Sequence, residues 1–323
     1  MGKNHVRVYS QLKDVELVAI ADVNEERVKE IAEKYRTEWF TDYKKMLKET
    51  SPDAVSVVVP TSLHKIVTID SLNAGCNVLV EKPIASTLEE GKEMIKKARE
   101  EDLKLTVGHI ERFNPMVRVV REEVERMHKV FSIEIHRTGP FPRRIRDVGV
   151  IIDLGTHDFD LMRFIKSGEI EKLYCEVQYN VKTEFEDLAK ILLRFKDSTL
   201  GFIDVNWLTP TKNRTLSVLG DRGMFVGDFI TQDLVFYENP KFNDKEFNYA
   251  EVLLKMIEGP KKKIEIEKKE PLMNELKHFI ECVKKDKEPL VKPEDGLMAL
   301  YLAIKALESM KKGQPVVVKD KIF

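Results

Sequence analysis

Residues 1–110 alternate short β-rich apolar runs with helical patterns, and that alternation constrains the fold more than any other feature of the chain. The runs 15–21 (VELVAIA), 54–59 (AVSVVV), 77–80 and 103–108 read as strands. Between them, 24–35, 64–74 and 86–101 read as helices, the last capped by Ser86. Strands that are apolar almost throughout, separated by helices, call for a parallel sheet covered on both faces. The expectation is a doubly wound α/β domain over residues 1–120.

Beyond residue 121 the rhythm changes. Runs at 130–138, 172–181, 188–195, 199–207 and 214–219 read as strands, and connections as short as Lys196-Asp197-Ser198 and Asp221-Arg222-Gly223 suit antiparallel neighbours. One helix, 149–165, interrupts them, and helices at 271–284 and 293–312 close the chain; 261–269 reads as a charged, solvated edge or loop. A chain of 323 residues favours two domains over one core. The second is expected to be an α+β domain over 121–323, a mostly antiparallel sheet with helices on one face. Its other face, left free, would bury itself against a second copy, giving a homodimer or homotetramer.

Composition excludes several classes of partner. Lys plus Arg (54) and Asp plus Glu (55) nearly cancel, so no bulk field draws nucleic acid or an acidic membrane. No run approaches the ~18 apolar residues of a membrane span, and no signal peptide is expected. Cys76, Cys175 and Cys282 lack metal-ligand spacing and fit structural thiols in a reducing cytoplasm.

Three places carry chemistry. Asp22 ends a strand twenty residues after Gly2, where an acid can bind the adenosine ribose of a dinucleotide and repel a 2′-phosphate, favouring NAD over NADP. The competing reading is a helix cap. Glu81-Lys82-Pro83 follows a strand directly, at the end that faces the ligand crevice of an open α/β sheet; elsewhere the tripeptide would be a surface turn with a solvated lysine. Asp153, His157 and Asp160 fall at i, i+4 and i+7 on the lone helix of the second domain. A histidine one turn from a carboxylate can act as a base near neutral pH, or can simply be a satisfied helix residue. No second histidine stands at ligand spacing, so no metal is expected.

At these places the chain resembles the Gfo/Idh/MocA family of sugar and inositol oxidoreductases. Gly2 with His5 matches the end of its G-x-x-H turn, Asp22 its acid, Glu81-Lys82-Pro83 its E-K-P motif, and Asp153, Gly155, His157 and Asp160 its D-x-G-x-H-x-x-D helix. Two departures accompany the match. The first strand and first two glycines of the dinucleotide fingerprint are missing before Gly2, and the glycine run before the histidine helix is reduced to Asp147-Val148-Gly149.

The resemblance implies a Rossmann NAD-binding domain, with Gly2, His5, Asp22, Pro60, Thr61, His64, Glu81 and Lys82 toward the cofactor. It implies that Lys82 holds a reacting hydroxyl, His157 takes its proton and Asp153 positions both. Without the first strand, the 323-residue chain is expected to bind NAD weakly. The stretch 108–115 (GHIERFNP), with Arg112 and Asn114, resembles that of UDP-N-acetylglucosamine 3-dehydrogenases. Arg137, Arg143, Arg144, Arg146, Lys212 and Arg214 are cations that could meet a diphosphate. The expected activity is NAD-dependent oxidation of a ring hydroxyl, first that at C3 of UDP-GlcNAc. An inositol or free-sugar dehydrogenase is the alternative within the class; an NAD-retaining glycosidase or a sugar sensor lies outside it.

Overall fold

The computed structural model describes residues 1–142, 148–181, 184–239, 259–319 and 322. The chain divides into two compact units, Met1–Phe113 with Lys269–Leu302, and Asn114–Lys268 with Ala303–Lys321. The single crossing expected at residue 120 therefore becomes several, because the segment 269–302 returns to the first unit. Hydrophobic burial accounts for the return. On α8 (Pro271–Lys284), Leu272, Leu276 and Phe279 recur at helical spacing, and they pack with Val8 and Tyr9 of α1 (Gly2–Tyr9) and with Leu79 in one buried cluster.

The first unit is Rossmann-like and its five strands are all parallel, but they form two ladders. One pairs β1 (Ala19–Ala21) with β2 (Glu38–Phe40); the other runs β3 (Ala54–Val57), β4 (Asn77–Glu81), β5 (Leu105–Gly108). Among the described residues no strand joins β1 to β3. The run 15–21 accordingly shortens to three paired residues. β4 and β5 carry the continuously buried sequence expected of a covered parallel sheet, whereas β1 and β3 are only half-buried.

Helices α2 (Glu25–Tyr35), α3 (Tyr43–Thr50), α4 (His64–Asn73) and α5 (Leu88–Glu100) lie between the strands. Asn24 caps α2 and Asp42 caps α3 by accepting backbone N–H groups of the first turn. The cap of α5 is Thr87, not Ser86: the Thr87 hydroxyl accepts the Glu90 amide at 3.2 Å, and the Glu90 carboxylate in return accepts the Ser86 amide at 3.1 Å.

Among the described residues the second unit is built on one nine-stranded sheet. In spatial order it runs β13 (Lys261–Ile264), β12 (Leu234–Glu238), β11 (Gly223–Asp228), β10 (Leu208–Gly220), β6 (Val130–Pro140), β9 (Leu200–Asn206), β8 (Leu188–Phe195), β7 (Ile170–Gln178), β14 (Val316–Val317). Every pairing is antiparallel except β6 with β9. The run 261–269 thus begins as an exposed, lysine-rich edge strand, a composition that discourages edge-to-edge pairing.

Period-two burial leaves Ile133, Ile135, Ile191, Leu193 and Val218 inside. Two helices cover that face. Met116 of α6 (Pro115–Glu125) reaches Gly227 of β11, and Met162 of α7 (Thr156–Lys166) reaches Gly201 of β9, where a Cβ would crowd each sulfur. The opposite face exposes Phe131, Leu192, Leu200 and Leu219.

Candidate active site

In the first unit, the candidate residues stand where parallel strands end, which is where open α/β sheets bind ligands. Asp22 follows β1. Its Oδ1 accepts the Asn24 amide at 2.8 Å, and its Oδ2 lies 3.3 Å from an Arg27 guanidinium nitrogen. The carboxylate therefore stabilises the start of α2 and remains one-third exposed, so the cap and ribose readings are compatible. Pro60 is exposed and Thr61 half-buried just beyond β3. Gly2 has open space around it, since a Cβ built there meets nothing within 4 Å. The Asp22 carboxylate can accept ribose hydroxyls and the open glycine leaves room at the N-terminus of α1, and both suit a dinucleotide.

Glu81, the last residue of β4, is drawn inward instead. His5 Nε2 lies 3.0 Å from its Oε1, with His5 3% and Glu81 12% exposed. Gly108 of β5 makes this possible, because a Cβ there would stand 3.0 Å from Glu81 Oε2. Burial pushes the Glu81 carboxyl up, but the His5 hydrogen bond, the charges of His5 and Lys82 and the Lys82 amide outweigh it and hold the group below its usual range. Glu81 is thus a largely buried carboxylate immediately before Lys82, which is itself half-buried.

His64 is also internal. Its Nδ1 lies 2.8 Å from the Pro83 carbonyl and its Nε2 3.0 Å from the Val59 carbonyl, so the ring ties the turn after β4 to the loop after β3. Burial is the largest influence and lowers its pKa against the pull of those carbonyls, leaving a neutral imidazole that donates to one of them at a time. The structure gives His64 the task of fixing the Lys82-Pro83 turn; at 1% exposure its ring offers no surface to a cofactor.

In the second unit the helix carrying Asp153 and His157 opens with a wide π-helical turn, Ile151–Gly155, before becoming α7. Such turns are rare and gather at functional sites. Asp153 and His157 are half-buried, whereas Asp158 and Asp160 are fully buried. The expected common face of Asp153, His157 and Asp160 therefore splits, with the first two reachable and the third internal. Asp158 accepts a 2.7 Å hydrogen bond from Arg137 Nε, a buried ion pair that pins α7 to β6. Arg137 is consequently occupied within the fold.

Other expected substrate contacts have structural tasks. Arg112, 4% exposed, donates to Asp295 Oδ2 at 3.0 Å and to the Leu290 carbonyl at 3.2 Å. Asn114 caps α6 through the Met116 amide and donates to the Phe229 carbonyl. Arg214 donates to the Thr138 carbonyl at 2.7 Å, and Lys212 on the same strand is exposed. Arg143, Arg144, Arg146 and Asp147 lie outside the described residues. Among the described residues no cluster of three His, Cys, Asp or Glu side chains could hold a metal ion.

Comparison with known proteins decides the family. Residues 1–109 match the oxidoreductase family with an NAD-binding Rossmann fold, and residues 125–226 match the GFO/IDH/MocA C-terminal domain. The chain belongs to the Gfo/Idh/MocA oxidoreductases. The myo-inositol 2-dehydrogenase of Thermotoga maritima is 28% identical over 100% of this chain and 97% of its own length. The UDP-N-acetylglucosamine 3-dehydrogenase of Acidithiobacillus ferrooxidans is 29% identical over 73% of this chain and 74% of its own. The structure of that enzyme superposes with a TM-score of 0.85 at 24% identity, covering 96% of this chain and 94% of its own. Membership makes this chain an NAD-type dehydrogenase acting on CH–OH groups of sugars or polyols.

Several buried acids of this Gfo/Idh/MocA chain carry no motif, Glu275 and Glu186 among them. Glu275 stands among Leu272, Leu276 and Phe279 on α8 with 2% exposure, and neither carboxyl oxygen has a hydrogen-bond partner among the described residues. Burial first, then the charges of Glu81 and Glu111, push its pKa well above the usual range. An acid within an apolar stripe was the signal. Glu186 precedes β8 in a stretch with no periodicity to expose it.

Proposed function

We propose that this protein oxidises a secondary ring hydroxyl of a nucleotide sugar with NAD as acceptor, first the 3-hydroxyl of UDP-GlcNAc. The observation that carries the reading is the presentation of one half-buried lysine at a strand end, beside a largely buried carboxylate, and of one half-buried histidine a turn beyond an aspartate on the π-started helix. Oxidising a secondary alcohol removes a hydride from carbon and a proton from oxygen. NAD, when bound, supplies the hydride acceptor. Lys82 donates a hydrogen bond to the hydroxyl oxygen and favours the developing negative charge, and His157 takes the proton. Asp153, one turn before it on the same helix, orients His157. Asp22 takes the ribose hydroxyls, with Pro60, Thr61 and Glu81 on the same side. Exposed Lys212 remains as a phosphate partner.

Oxidation of a free inositol is the second reading. It is favoured by the full-length match to a myo-inositol dehydrogenase and by the internal partners of Arg112, Arg137 and Arg214. The free thiols of Cys76, Cys175 and Cys282, all buried, accord with a reducing compartment.

NADH formation and product mass are to be followed for UDP-GlcNAc, GlcNAc and myo-inositol, in the wild type and in Lys82→Ala and His157→Ala. UDP-GlcNAc should be oxidised and free GlcNAc should not, with kcat falling roughly 10²-fold or more in each variant. Better turnover of inositol reverses the order of the two readings. Near-normal turnover in both variants removes the catalytic assignment.

A further inference from the structure

The helix that carries Asp153 and His157 lacks a cap from its own sequence. Val150, which precedes the π-helical turn, is apolar and offers no side-chain acceptor. The first N–H groups of a helix have no intrahelical partner, and in a buried setting each needs one. Here both partners come from a single residue, Glu186, thirty-six positions beyond Val150 and thirty-five beyond Ile151. The backbone carbonyl of Glu186 accepts the Val150 amide at 3.0 Å, and its Oε1 accepts the Ile151 amide at 3.1 Å.

Space for that carboxyl group is made by Gly149. A Cβ at that position would overlap all three carboxyl atoms of Glu186. The backbone of Gly149 lies outside the positive-φ region, so the glycine is needed for its missing side chain and not for its conformation. Glu186 is 5% exposed and is itself held from the other side. The adjoining Asp187 accepts the Asn180 amide at 2.6 Å and the Asn180 side-chain amide at 3.0 Å, and its backbone carbonyl accepts the Trp207 amide at 2.9 Å. The anchor is therefore rigid at both ends, tied to β9 and to the end of β7.

We propose that Glu186 is a positioning residue for the Asp153 and His157 centre, acting through the first turn of their helix, with Gly149 as the cradle that admits its carboxyl group. The proposal rests on the functional reading above for its kinetic consequence but not for its structural one. Asp153 is two residues beyond Ile151, inside the wide turn. A π-helical turn is an uncommon backbone state that persists where its surroundings hold it. Releasing the Ile151 amide, the one held by the side chain, lets the turn relax toward an ordinary α-helical winding, which rotates Asp153 relative to His157. Misplacing a proton-transfer pair by about 1 Å can cost about 10²-fold in rate.

Three variants test this: Glu186→Gln, which keeps an acceptor oxygen; Glu186→Ala, which removes it; and Gly149→Ala, which displaces it. Amide hydrogen exchange over residues 150–156 is measured on the protein alone, and kcat and KM on the wild-type substrate. Glu186→Ala and Gly149→Ala should speed exchange in that segment and leave other amides of the unit unchanged. In both, kcat should fall by roughly 10- to 100-fold while KM for NAD stays within about twofold. Glu186→Gln should restore both readouts to near wild type.

Unchanged exchange in Glu186→Ala overturns the anchor. Faster exchange with unchanged kcat overturns the positioning role. A Gln variant as impaired as the Ala variant shows that the charge, not the acceptor, is what matters, and also overturns the proposal. If exchange responds as expected but His157→Ala keeps full activity, the functional reading fails and the anchor stands.

Discussion

Replacing Glu275 by Gln should make the protein more stable relative to wild type as the pH rises. The Glu275 carboxyl has no hydrogen-bond partner among the described residues and is almost fully buried. The charged groups facing it on neighbouring elements are Glu81 on β4 and Glu111 beyond β5, and both are acidic. Ionising it would therefore cost desolvation and like-charge repulsion together, and the folded protein keeps the proton well above the usual carboxylate range. The unfolded chain releases that proton near an ordinary glutamate pKa of about 4.3. Stability contributed by the neutral acid is thus complete below the unfolded value and is lost as pH rises through the folded value. Across that window the folded state holds one more proton than the unfolded state, which corresponds to about 1.4 kcal/mol lost per pH unit.

Glutamine has the same shape and no proton to lose, so the difference in stability between wild type and Glu275→Gln isolates this group. Urea unfolding of both proteins at pH 5, 6, 7 and 8 should give a difference that moves in favour of glutamine as pH rises from the unfolded value, by at most about 1.4 kcal/mol per unit, and levels off once the folded value is passed. Trp39 in the first unit gives a local fluorescence signal. Infrared spectroscopy of the wild type at a pH just above the ordinary carboxylate range should show a protonated carboxyl band that the variant lacks. A stability difference that stays flat with pH, or no such band, would refute the reasoning.

Asp22→Ser should narrow the preference for NAD over NADP by about tenfold or more, since it removes a negative charge and frees the Arg27 guanidinium, 3.3 Å away, for a 2′-phosphate. Titration of both cofactors checks it, and an unchanged ratio would reduce Asp22 to a helix cap. The exposed sheet face bearing Phe131, Leu192, Leu200 and Leu219 is proposed to pair with its copy as a homodimer or homotetramer. Leu192→Glu should then lower the sedimenting mass, whereas a monomeric wild type would end the idea.

Hydrophobic periodicity made the fold class legible because burial is a property of residue type at an interval. The apolar-rich run 188–195 becomes β8 at the expected bounds, with alternate side chains buried, and α8 and α9 (Pro293–Lys312) also match. Short elements were lost. β2 has three residues and a single buried side chain, too few to make a period; β11 and β12 also fall outside the expected strands, although the run LVFYE of β12 is rich in β-prone residues. The join between β1 and β3 was beyond any local pattern, because it depends on which backbone groups find a strand partner.

The candidate site shows a different boundary. Lys82, Asp153 and His157 were found by motif, and all three are half-buried. Arg112, Asn114 and His64 came from the same kind of reasoning and turned out to be occupied within the fold. The difference is competition for hydrogen bonds. A buried arginine, asparagine or histidine must satisfy its polar atoms, and the nearest carbonyl or carboxylate does so before any ligand arrives. Sequence spacing places such a residue on an element but does not report which distant backbone group will stand 3 Å from it. Glu186 is the converse case: nothing in its neighbourhood of the sequence marks it, and its importance arises entirely from two amides thirty-six and thirty-five residues earlier. Residues that hold a reactive side chain in place are therefore harder to read from sequence than the reactive side chain itself, because they are defined by a pairing and not by a type.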